Sequence, residues 1–206
     1  MAEQYSLFST VYDMFMDNVP YIEWADSIEQ TLKKHGINEG IVLDLGCGTG
    51  TLTKMLADKG YDMIGVDTLN YILDEEELVN TFKLVNNYLE PDGIFVFDMN
   101  APEKYEEVLS DNVFAENRDE ASFIWDNFYD EDEHINEYVL TLFMKDDKSG
   151  LYKKHEEYHY QRNYLRDEIK ELLDRAGLEI IENFEKDLRM YYTVKVKEGC
   201  KLGNIG

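Results

Sequence analysis

The 206-residue sequence is poor in cysteine and in basic side chains, and it has no long apolar run. Its two cysteines, Cys47 and Cys200, are far apart and lack zinc-ligand spacing. Neither a disulfide framework nor a structural metal knuckle is therefore expected. Lysine and arginine number 20 against 44 aspartates and glutamates, giving a formal charge of −24. A surface that negative repels phosphate backbones, and no basic stripe offsets it. This argues against nucleic acid and against an anionic membrane as partners, and favours a small neutral or cationic substrate. No apolar stretch reaches the ~18 residues of a membrane span. The opening MAEQYSLFSTVYD has neither a basic n-region nor an apolar h-region, so a cytoplasmic, reduced protein is expected. Internal repeats and low-complexity linkers are also missing. Oligomeric state is not written in the sequence, which is compatible with a homodimer.

What is present is enough apolar material, 44% of residues, for a core in one domain or one domain with a large insertion. Ile22, Trp24, Ala25, Ile28 and Leu32 recur at helical spacing, predicting a helix over 21–35 that stops at Gly36. Residues 41–45, IVLDL, read as a short strand buried on both faces. Glycines follow, then a helix bearing Leu52, Met55 and Leu56, then a second apolar strand at 63–67 ending in Asp67. Residues 75–89 predict a helix with Leu78, Phe82, Val85 and Leu89 on one stripe. Its three leading glutamates sit where the helix dipole favours them. A third buried-strand run spans 94–98.

Residues 100–160 differ in character, being strongly acidic and aromatic-rich. Segments 122–129, 136–144 and 151–164 predict an antiparallel sheet inserted into the α/β frame. A helix over 167–176 and strands over 178–181 and 191–196 close the chain.

The most informative stretch is Val42-Leu43-Asp44-Leu45-Gly46-Cys47-Gly48-Thr49-Gly50. Glycine between a buried strand and a helix permits a sharp turn and close approach of a ligand to the backbone. The dinucleotide fingerprint has G-x-G-x-x-G spacing, whereas Gly46, Gly48 and Gly50 give G-x-G-x-G. The preceding Asp44 is a poor neighbour for a pyrophosphate and a good one for a cationic amino group.

These residues, with GVD ending at Asp67, resemble motif I and the following acid of class I S-adenosylmethionine-dependent methyltransferases. The resemblance implies an α/β, Rossmann-like class I methyltransferase fold with S-adenosyl-L-methionine as cofactor. It places the amino acid end of the cofactor along Asp44, Leu45, Gly46, Cys47, Gly48 and Gly50, the ribose hydroxyls on Asp67, and Asn70 close by in LNYI. FSTVYDMFM resembles the N-terminal helix of small-molecule methyltransferases, which implies that Tyr12 lies near the transferred methyl. The inserted sheet resembles the substrate-covering lid of amino-sugar and small-amine N-methyltransferases. The expected organisation is a core over 1–99 and 165–206 and a lid over 100–164. The expected activity is methyl transfer to a nitrogen or oxygen of a small molecule, the alternative being a non-catalytic scaffold of the same fold or a deletion variant with impaired cofactor binding.

The chain departs from that family after Asp67. A βαβ unit takes roughly 30 residues or more, and the family's third and fourth strands are missing here, a gap on the order of 40. The stretch that would contact adenine lies within that gap. A second shortening is expected between Phe184 and Tyr191.

On the 151–164 strand, alternation puts Tyr152, Tyr158, Tyr160 and Tyr164 on one face and His155, Glu157 and His159 on the other. Either a face lines a substrate pocket, or the tyrosines are sheet core and the histidines are solvated. An amine nucleophile must be neutral to react, and His159 is the candidate base. His155-Glu156-Glu157-Tyr158-His159 also fits H-E-x-x-H, but that zinc motif needs a helix. A strand is expected, and no metal. The run 130–133, DEDE, reads as a solvated turn.

Overall fold

A computed structural model describes residues 20–45, 50–66, 69–90, 92–146 and 148–202. They fall into two compact units, residues 102–163 and residues 20–101 with 164–202.

The second unit begins with helix α1 (Tyr21–Lys34). It buries Ala25 and Leu32, whereas Ile22, expected on the same stripe, stands exposed. Strand β1 (Gly40–Leu45) leads through the glycine loop to helix α2 (Thr51–Asp58). Strand β2 (Tyr61–Val66) pairs with β1 in parallel, Asp44 opposite Gly65. The expected burial of β1 on both faces is only partial, because Val42 and Asp44 are half-buried.

A 3₁₀ turn (Leu69–Tyr71) then leads to helix α3 (Glu75–Tyr88). The Asp74 carboxylate caps α3, accepting the Glu77 N–H at 3.0 Å. Helix α3 buries Leu78, Phe82 and Val85 against strand β3 (Phe95–Asn100). The whole passage from β2 to α3 is too short for the crossover helix that a further parallel strand needs.

Helix α4 (Arg166–Arg175) and strands β8 (Leu178–Lys186) and β9 (Arg189–Val196) complete this unit. Strand β9 lies between β3 and β8, antiparallel to both. Phe95, Phe97 and Tyr192 stack at 4.8 and 5.0 Å, and Phe82 packs on them from α3. Each fully buried side chain of this size contributes roughly 1.5–3 kcal/mol. The last strands are longer than the sequence pattern predicts. Strands β8 and β9 join through a tight reversal at Asp187 and Leu188, both at positive φ.

In the other unit, a π-helical turn (Lys104–Leu109) precedes strand β4 (Val113–Asn117), neither of which the sequence pattern announced. Strands β5 (Ala121–Asp130), β6 (Ile135–Lys145) and β7 (Tyr152–Arg162) follow. They form one antiparallel sheet in the order β4-β5-β6-β7. Residues 130–133 do form a turn, where the Asp130 carboxylate accepts the Asp132 and Glu133 N–H groups at 3.0 Å.

Alternation holds along β7, but the reading with the tyrosines as sheet core and the histidines solvated is overturned. Glu157 and His159 are buried, whereas Tyr152, Tyr158 and Tyr160 are exposed. Pairing decides this: His159 and Glu157 oppose Tyr138 and Leu140, which belong to the buried face of β6. Tyr164 lies beyond the strand, in the core of the other unit, and its hydroxyl donates to the Ile72 carbonyl at 2.7 Å.

Candidate active site

Asp44 sits one residue before the end of β1. Its carboxylate accepts the Thr53 hydroxyl of α2 at 2.6 Å. Burial pushes its pKa up, the Thr53 bond pulls it down, and the negative charge of Asp98 on β3 pushes it up again. Asp98 is itself paired with Arg189 of β9. Thr53 therefore tethers a partly buried carboxylate that makes no ion pair among the described residues. It retains acceptor capacity for a cation.

Gly50 closes the glycine loop as the N-cap of α2, at φ +83°. A Cβ there would meet no atom within 4 Å, so the constraint is the backbone conformation rather than space. Leu45 ends β1. Gly46, Cys47, Gly48, Asp67 and Tyr12 lie outside the described residues. Asn70 is fully buried, and its side-chain oxygen accepts the Asn100 N–H at 3.2 Å. It thus ties the 3₁₀ turn to the end of β3. The donor set around Asp44 fits the amino acid end of S-adenosylmethionine: an ionisable carboxylate held near a glycine turn at a helix start.

The antiparallel unit holds a second polar cluster. His159 Nε2 lies 3.2 Å from the Glu157 carboxylate, with the two residues 7% and 4% exposed. The His159 ring stacks on Tyr138 at 4.7 Å. The sequence named His159 but missed Glu157 as its partner. The only available signal was their two-residue spacing, which strand geometry converts to a shared face. Thr53 and Asp98 were also missed. H-E-x-x-H falls on a strand, and among the described residues no group of three or more His, Cys, Asp or Glu could hold a metal.

The chain matches a methyltransferase domain family over residues 19–77. It is 30% identical to "Putative methyltransferase GWCH70_2453" of Geobacillus sp. (strain WCH70), covering 86% of this chain and 90% of that one. That alignment runs over 224 residues, more than the 206 of the chain itself, so the relative carries residues this chain lacks. A crystal structure of an S-adenosylmethionine-dependent methyltransferase from Clostridium acetobutylicum ATCC 824 is 26% identical, with a TM-score of 0.80. It is matched over 94% of this chain and 99% of its own. The sugar N-methyltransferase KedS8 of Streptoalloteichus sp. ATCC 53650 shares the fold at 14% identity, with a TM-score of 0.71 over 91% and 93% of the two chains.

Fold and glycine turn together define a Rossmann-like, class I frame. The chain belongs to the S-adenosylmethionine-dependent methyltransferase family. Among the described residues no helix is long and apolar enough to cross a membrane.

Proposed function

We propose that this methyltransferase moves a methyl group from S-adenosylmethionine to a nitrogen or oxygen of a small molecule. The observation that carries the reading is the Thr53-tethered Asp44 at the head of the glycine turn. Asp44 would receive the cofactor's amino group, and, as the sequence resemblance implies, Leu45, Gly46, Cys47, Gly48 and Gly50 would hold its amino acid end and Asp67 its ribose hydroxyls. Asn70 supports the cofactor side by holding the 3₁₀ turn against β3. When bound, the cofactor supplies a sulfonium methyl that is already activated. The chain's own task is then to position an in-line nucleophile and keep water out. Tyr12 orients the acceptor near the methyl. His159, hydrogen-bonded by Glu157, takes the proton that an amine must lose. Residues 100–164 act as the substrate-covering lid. The strongly acidic composition supports a neutral or cationic acceptor.

Calorimetry with S-adenosylhomocysteine tests the reading. Saturable binding that weakens in Asp44→Asn is expected, and no heat at millimolar ligand would overturn it. A second reading, a cofactor-free scaffold, draws on the shortened chain. It predicts that null titration, together with no methyl transfer to a panel of small amines.

A further inference from the structure

Strand β3 lies beside β1, which brings an acid from each strand into one neighbourhood. Along β3, Phe95, Phe97 and Met99 turn into the core under α3. Asp98 alternates with them and so faces the other side of the strand. There it pairs with Arg189, which reaches it diagonally across the β3–β9 ladder, since Asp98 stands opposite Tyr191 and Arg189 opposite Asn100. The Asp98 charge is felt at Asp44, whose carboxylate is held to α2 by Thr53. Two carboxylates and one guanidinium thus leave a net negative charge in a partly buried setting. Water and salt screen such a charge less than one at the open surface.

We propose that Asp98 makes the site prefer the cationic, sulfonium form of the cofactor over its neutral demethylated product, and that Arg189 limits the strength of that preference. The inference rests on the cofactor reading above. S-adenosylmethionine carries an ammonium and a sulfonium, whereas S-adenosylhomocysteine keeps the ammonium and has an uncharged thioether. The ammonium is common to both and belongs to Asp44, so it cancels when the two affinities are compared. What remains is the sulfonium charge, and Asp98 is the second carboxylate at this site.

The attraction acts through space and needs no hydrogen bond, since a sulfonium has no N–H or O–H to donate. Across a partly solvated gap it is worth roughly a three- to tenfold difference in affinity. Arg189 draws on the same carboxylate, so its guanidinium weakens the field that a ligand meets. A site built this way releases spent cofactor more readily than S-adenosylmethionine, which limits inhibition by product. The two acids then have separate tasks. Asp44 fixes the amino acid end of either form, and Asp98 reads the charge at sulfur.

Calorimetry of the full chain at low salt with S-adenosylmethionine, sinefungin and S-adenosylhomocysteine tests the proposal. Sinefungin carries an amine, cationic at neutral pH, where the sulfonium stands. Wild type is expected to bind both cationic ligands more tightly than S-adenosylhomocysteine, by a ratio that shrinks as salt is added. Asp98→Asn is expected to narrow that ratio roughly three- to tenfold, and Asp98→Glu to keep it. Arg189→Met is expected to widen it, because it takes the guanidinium away from Asp98. Loss of structure alone would move both variants the same way, and circular dichroism checks that each folds. Ratios that stay equal in wild type, Asp98→Asn and Arg189→Met, or that move together in the two variants, overturn the role of Asp98 and leave the cofactor reading intact. No binding of any of the three ligands at millimolar concentration overturns both.

Discussion

Asp44 is held in surroundings that do not favour its charge. Burial and Asp98 raise its pKa, and the Thr53 bond only partly offsets them. A carboxyl whose folded pKa exceeds its unfolded value contributes stability that is complete below the unfolded pKa. That contribution is lost as pH rises through the folded one. Asp44→Asn is therefore expected to melt higher than wild type at neutral pH, with the gap closing as pH falls below the carboxylate range. The same variant loses cofactor affinity. Thermal melts across pH, paired with calorimetry, check both halves. A variant less stable at neutral pH would contradict the electrostatic account. Tyr164→Phe removes the bond to the Ile72 carbonyl and is expected to cost about 1–2 kcal/mol in urea denaturation. No change would mean that the hydroxyl is not a structural tie.

Between elements, the junction of α3, α4 and the C-terminal segment turns on Asn86. Its side-chain amide donates to the carbonyls of Ala176, Gly177 and Cys200 at 3.0–3.2 Å, and its oxygen accepts the Leu202 N–H at 3.0 Å. Gly177 must stay small: its φ is +74°, and a Cβ would come 2.9 Å from the Asn86 amide nitrogen. Asn86→Ala strips several buried groups of partners at once and is expected to cost on the order of 3 kcal/mol. A loss below 1 kcal/mol in chemical denaturation would show that the junction is held by packing instead. The β8–β9 reversal offers the opposite change. Leu188 sits at φ +58°, a conformation that costs a side chain about 1–2 kcal/mol. Leu188→Gly is expected to raise the denaturation midpoint, since type I′ turns favour glycine. The Ala101 N–H to Leu188 carbonyl bond at 2.9 Å survives the change.

Across the whole molecule, 44 acidic side chains repel one another, against three clusters of buried apolar side chains among the described residues. Screening should relieve this, so the melting temperature is expected to rise between low and physiological salt. A fall on adding salt would mean that ion pairs such as Lys59 with Asp26 and Glu29 outweigh the global repulsion. Among the described residues β1 has β2 as its only ladder partner. Strand β3 pairs instead with β9 and lies beside β1, close enough for Asp98 to press on Asp44.

Much of this was legible in the sequence. The run Val42 to Gly50 marked the end of a strand and the start of a helix, where Gly50 takes the positive φ that glycine tolerates. The stripe Leu78, Phe82 and Val85 fixed the buried face of α3, since helical period is a local property. Alternation likewise put Glu157 and His159 on one side of a strand. Which side was buried lay beyond the sequence, because β7 is apolar on the face that stays exposed. Pairing with β6 settled it by setting His159 against Tyr138. The tether of Thr53 on Asp44, the pressure of Asp98 and the clamp of Asn86 likewise join residues from separate elements. Local pattern sets the elements, but only tertiary packing brings distant charges and amides within hydrogen-bond reach.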